Sequence, residues 1–104
     1  MLDMLELRSD DRVLLLWIPP ADEVERLAAR VTGGLLVAMG SDEDVRAARR
    51  TCAHLDNVMF TQGDADEIPW RDGMFTVVVG TDRQTPELLR VVEPGGVLRL
   101  LRSE

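Results

Sequence analysis

RVLLLWIPPADEVERLAARVTGGLLVAM, residues 12–39, decides the fold, because it changes period twice. RVLLLWI (12–18) is continuously apolar after Arg12 rather than alternating, the pattern of a strand buried on both faces of a parallel sheet. From Pro20 onward Val24, Leu27, Ala28 and Val31 share one helical face, while Asp22, Glu23, Glu25, Arg26 and Arg30 occupy the other. A proline in the first turn and Gly33-Gly34 beyond the last one give this helix a start and a stop. LLVAM (35–39) is then a second buried strand. Strand, helix and strand in this order predict a right-handed crossover and a parallel sheet covered on both faces.

The same alternation runs outward in both directions. LDMLEL (2–7) followed by RSDD predicts a short helix ending in a polar turn. Ser41, three residues before Asp44, is close to a capping box and opens a helix with Val45, Ala48 and Cys52 on its inner face. NVMFTQ (57–62) reads as a third strand. GDADEIPWRDG (63–73), with two glycines, a proline and four acids before Gly73, reads as a loop. MFTVVVG (74–80) is a fourth strand, Thr85-Pro86-Glu87 caps a short helix carrying Leu88, Leu89 and Val92, and Pro94-Gly95-Gly96 turns into VLRLL (97–101), a fifth. The fold class is α/β.

The 104 residues, 45% hydrophobic and 30% charged, suit one soluble domain over 1–104. A net charge of -7 argues against nucleic acid as a partner, since phosphate binding needs a basic surface. The single cysteine, Cys52, has no intramolecular disulfide partner, and no Cys or His cluster has metal-ligand spacing. Asp3 and Glu6 stand where a basic leader would, and no apolar run is long enough for a bilayer, so a cytoplasmic protein without membrane attachment is expected.

Taken together, LELRSDDRVLLL (5–16), SDEDVRAAR (41–49), GDADEIPWRDGMFTVVV (63–79) and LLRVVEPGGVLRLL (88–101) resemble the class I S-adenosylmethionine-dependent methyltransferases, of the type 11-like kind, over nearly the whole chain. The resemblance implies a Rossmann-like three-layer α/β/α fold with a mainly parallel five-stranded sheet in the order 3-2-1-4-5, lacking the family's last two strands. Its departures fall on the residues that hold the cofactor. Where the family has an acid in the first strand and then GxGxG, this chain has Leu15 and then Trp17, Pro19 and Ala21. Glycines there allow close approach to a ligand, and the free N–H groups of the following helix attract a negative group; Pro19 and Pro20 remove two such donors. The acid that binds the ribose becomes Met39, or Gly40 if the match shifts by one. Each lost charge-assisted hydrogen bond costs roughly 1.5 to 3 kcal/mol, so two losses weaken binding by about 10² to 10⁴. Asp64, with Ala65, matches the adenine-side acid, although Gly-Asp after a strand is also an ordinary turn. Thr76 replaces an acid that often follows the phenylalanine of the fourth strand.

Other candidates have plainer readings. His54 suits the end of the second helix, where a protonated ring complements the dipole, and no nucleophile or paired acid can be placed beside it. Cys52 reads as a small core residue, and Asp64, Asp66, Glu67 and Asp72 as a solvated acidic loop whose spacing matches no calcium site. Trp70 either anchors a partner or packs against the sheet, with packing favoured. Along the fifth strand, Val97, Arg99 and Leu101 are candidates for pairing with another chain, against which the charges of Arg99 and Arg102 weigh in part.

The expected function is therefore that of a methyltransferase-like domain with a degenerate site. It would bind no cofactor and act through a homodimer or a partner protein, in a regulatory or scaffolding role. The alternative is an active methyltransferase with an atypical site, binding S-adenosylmethionine through Asp64 and the backbone after Ser41 and completed by a partner chain.

Overall fold

A computed structural model describes residues 5–81 and 83–101. Five strands, β1 (Arg12–Leu15), β2 (Leu35–Gly40), β3 (Val58–Gln62), β4 (Phe75–Gly80) and β5 (Val92–Leu100), form one sheet in the order β3-β2-β1-β4-β5, every pair parallel. This is the expected order. Helices α1 (Ala21–Arg30) and α2 (Asp42–Thr51) lie on one face, where Val24, Leu27, Val45 and Ala48 meet Val13, Leu15, Leu36, Ala38 and Val79. Helix α3 (Pro86–Val91) lies on the other, where Leu88 and Val91 meet Leu14, Val37, Met39, Phe75 and Val78. The strands at the centre are buried on both faces, which is why their sequences do not alternate.

Local chemistry sets the element ends. Ser41 accepts a hydrogen bond from the Asp44 N–H at 3.2 Å and Thr85 accepts one from the Leu88 N–H at 3.3 Å, each capping its helix as the sequence predicts. Asn57 supplies a tie that sequence reading missed: its amide donates to the carbonyls of Ala28 and Val31, satisfying the last turn of α1. Gly34 is required by space, since a Cβ there would lie 2.0 Å from the Asp11 carbonyl oxygen.

Four sequence expectations are corrected. β1 ends at Leu15 rather than running to Ile18: the Leu16 N–H still reaches the Val79 carbonyl, but Pro19 and Pro20 then turn the chain into α1. In LDMLEL only residues from 5 onward are described, and Leu5 to Leu7 are not helical; Leu5 and Leu7 pack against the sheet instead. Leu89 is half exposed, and Val92 belongs to β5 rather than to α3. β5 begins before Pro94-Gly95-Gly96, so these residues are a bulge inside the strand: Phe75 pairs with Val92 and Val77 with Val97, and Gly95 takes φ +84°, which only glycine adopts readily.

Candidate functional site

In an open parallel sheet ligands bind beyond the carboxyl ends of the strands, at the point where the strand order reverses. Here that point lies between β1 and β4. Three strands reach it with a glycine at or just past their end: Gly40 on β2, Gly63 after β3 and Gly80 on β4. Each glycine's free side is taken by an apolar side chain of the same chain. The position a Gly40 Cβ would occupy is 3.0 Å from Ile18 Cδ1; that of Gly63 is 3.0 Å from Met39 Sδ and 3.2 Å from Pro69 Cδ; that of Gly80 is 2.9 Å from Leu100 Cδ2 and 3.2 Å from Leu88 Cδ1. A side chain at any of these three positions would therefore press on apolar atoms of the same chain.

The positions read from the sequence fall around these strand ends. Leu15 and Met39 are fully buried, Leu15 under α1 and α2 and Met39 on the opposite face. Trp17, Ile18 and Ala21 pack, half-buried, against the core beneath α1 and α2, and Pro19 is buried. A shallow groove of about 270 Å³ separates Ile18, Pro19 and Ala21 from Asp44 and Ala48 of α2 and from Cys52, just past its end. Pro20 offers no side-chain cap; its carbonyl receives the N–H groups of Glu23 and Val24, and the carboxylates of Asp22 and Glu23 stand in the first turn. Those acids complement the positive end of the helix dipole and repel another anion.

Asp64 is exposed and turned into its own loop, where its carboxylate accepts the Asp66 N–H at 2.9 Å and its backbone pairs with Glu67. The Ala65 carbonyl accepts the hydroxyl of Thr85, a buried polar residue, at 2.6 Å. Sequence reading missed the residue that holds the rest of this loop. Arg90 donates to the carbonyls of Trp70 and Ile68 and to the carboxylates of Asp72 and Glu87, while its own carbonyl accepts the Gly73 N–H. The loop lies on the α3 face in place of a helix: Ile68 is buried, and Trp70 packs edge to face on Phe75, with ring centres 5.6 Å apart. Where the loop packs on the sheet around Ile68 and Trp70, one guanidinium satisfies both carbonyls.

Glu87 also accepts the Ile68 N–H, and its hydrogen bonds from Arg90 first and Ile68 second hold its carboxyl below the usual carboxylate range. A lowered folded-state value stabilises the fold above the unfolded-state value and is lost as pH falls through the folded one. Glu87→Gln should therefore flatten the acid limb of a Tm against pH curve below the ordinary glutamate range while leaving the slope above it unchanged. An unaltered acid limb would show that the group adds nothing there.

Thr76 lies at the opposite end of the sheet. Its hydroxyl accepts the Arg12 N–H and donates to Asp11 Oδ1, both at 2.9 Å, beside the Arg12–Glu93 ion pair. His54 meets Glu25 at 3.0 Å on the surface, Cys52 is buried, and among the described residues no group of three or more His, Cys, Asp or Glu is placed to hold a metal ion. None of the described helices is long and apolar enough to cross a membrane. Of the strand candidates, Val97 is exposed and Arg99 is exposed, while Leu101 is half-buried and donates its N–H to the Gly80 carbonyl.

No protein-family model and no curated protein sequence matches the chain. Solved structures do. A SAM-dependent methyltransferase from Aquifex aeolicus superimposes with a TM-score of 0.75 at 22% identity, covering 89% of this chain and 56% of that one. The [4+2]-cyclase SpnF gives 0.75 at 21% identity, covering 95% and 41%. A chain from the complex between the Haloferax volcanii Trm112 methyltransferase activator and a methyltransferase gives 0.68 at 24% identity, covering 93% and 47%. The chain spans about half the length of the structures it matches. Strand order, crossovers and these superpositions agree: the protein has the class I methyltransferase-like fold.

Proposed function

We propose that this chain is a methyltransferase-like domain that binds no S-adenosylmethionine and acts through protein association, as a regulatory or scaffolding subunit that pairs with a second copy. The observation that supports the reading is the apolar packing at the strand ends, with Ile18 against Gly40 and Leu88 and Leu100 against Gly80. The residues present do not fit the cofactor. Trp17, Pro19 and Ala21 stand in the glycine places, Met39 or Gly40 offers a ribose no side-chain acceptor, and Asp22 and Glu23 already occupy the positive end of α1. Fold likeness does not weigh against this, since sites rather than folds carry function and a [4+2]-cyclase shares the architecture.

Titration of S-adenosylmethionine and S-adenosylhomocysteine by calorimetry, with the mass in solution recorded beside it, tests the reading. The expected result is no heat of binding up to millimolar ligand, together with a stable dimer. Micromolar binding would overturn it. The second reading, an active enzyme completed by a partner, draws support from the neighbour solved with a methyltransferase activator. It requires methyl transfer by a complex and none by the isolated chain.

A further inference from the structure

Residues 64–72 differ from the rest of the chain in how they are held. Every hydrogen bond that leaves this segment ends on residues 83–90: Arg83 donates to Asp66, Thr85 to the Ala65 carbonyl, the Ile68 N–H to Glu87, and Arg90 to the carbonyls of Ile68 and Trp70 and to Asp72. Among the described residues, no hydrogen bond joins the segment to a strand of the sheet. Its hold on the sheet is apolar, through Ile68 in the core under α3, the ring of Trp70 on Phe75, and Pro69 beside Gly63.

Arg90 is central to these bonds. Its guanidinium has five N–H groups and all five donate: two to carbonyls of the segment, one to Asp72 and two to Glu87, which in turn accepts the Ile68 N–H. Arg90 stays with α3, whose Leu88 and Val91 are fully buried. Gly63 and Gly73 bound the segment. Gly73 takes φ +65°, and a Cβ there would find nothing nearer than 3.8 Å, so the chain has room to rotate at that end. The closed position also carries a cost: the indole N–H of Trp70 is buried without a partner, and water would bind it once the segment lifts.

We propose that residues 64–72 form a lid, hinged at Gly63 and Gly73 and latched by Arg90, that opens as one unit while the sheet stays folded. Opening uncovers Phe75 and the inner sides of Ile68 and Trp70, an apolar stretch of the α3 face that the closed molecule hides. The lid needs neither the association reading nor the lost cofactor site, and the failure of either leaves it standing.

Native-state hydrogen exchange in a urea series tests it. The Ile68 amide, bonded across to Glu87, and the Trp70 indole N–H, shielded by burial alone, report the lid; the Leu36 amide, bonded to the Asn57 carbonyl, reports the sheet. The two lid protons should share one urea slope, shallower than that of Leu36, because opening exposes less surface than unfolding. Val24→Ala, on the opposite face of the sheet, removes packing that an open lid leaves intact; it should speed Leu36 about tenfold and the lid protons less than about twofold. Arg90→Lys keeps the charge but has three donors on one nitrogen, and it should speed both lid protons about tenfold or more. Equal acceleration of all three protons by Val24→Ala means that the segment opens only with global unfolding, which overturns the lid. Different slopes for Ile68 and Trp70 overturn the single unit, and unchanged lid protons in Arg90→Lys overturn the latch. Should either variant fail to fold, the wild-type slopes decide, one common slope for all three protons being the overturning result.

Discussion

Gly34→Ala should cost about 3–5 kcal/mol and leave little folded protein at ordinary temperature, since a small domain has only about 5–15 kcal/mol in total. The new Cβ would lie 2.0 Å from the Asp11 carbonyl oxygen, 2.8 Å from its carbon and 2.9 Å from the Asp10 carbonyl carbon. All three are backbone atoms, so no rotamer change relieves the contact. That carbonyl also accepts the Leu35 N–H, the bond that starts β2 beside β1, and backing away would break it. Gly33→Ala is the control: its Cβ would meet only the Ser9 carbonyl, at 3.4 Å. Thermal unfolding of the two variants should separate them widely. Similar midpoints for Gly34→Ala and Gly33→Ala would sink the steric account.

Phe75→Ala should cost about 3–5 kcal/mol, because the side chain is fully buried and the surrounding sheet relaxes little. Its loss also removes the platform on which Trp70 lies edge to face. The indole N–H of Trp70 is buried with no hydrogen-bond partner, so its place in the loop depends on packing and on the bond from Arg90 to its carbonyl. In a Trp17→Phe background Trp70 is the single indole, and its emission should shift to the red in Phe75→Ala under conditions where far-ultraviolet circular dichroism still reports a folded sheet. Unshifted emission with an unchanged midpoint would refute the prediction.

Much of the fold was legible because it is written in local periods. Unbroken apolar runs gave the buried strands, the stripe Val24, Leu27, Ala28 and Val31 gave α1, and Ser41 and Thr85 marked helix starts through short-range bonds. The errors lie where a local pattern was overridden. Trp17 and Ile18 extend an apolar run but leave the strand because the two prolines that follow cannot continue a ladder. Leu89 looks like a core residue and faces solvent because a helix of six residues buries only one stripe. Around the strand ends the sequence showed single residues but not their neighbours. Trp17, Pro19, Ala21 and Met39 could be picked out by position, whereas the contacts of Ile18 with Gly40 and of Leu100 with Gly80 could not, because they form only once strand order and register are fixed. The clamp of Arg90 was invisible for the same reason: it joins residues up to 22 positions apart.

The glycines at the strand ends set a limit on which sequences this chain can reach by single steps. Shortening Ile18 or Leu100, both half-buried, would cost about 1 kcal/mol or more, and truncating the fully buried Leu88 about 2–5. Restoring glycine at 17, 19 and 21 leaves all three side chains where they are. A variant with open space at all three positions must therefore pass through several destabilised intermediates. Packing at the strand ends thus constrains these positions independently of any ligand.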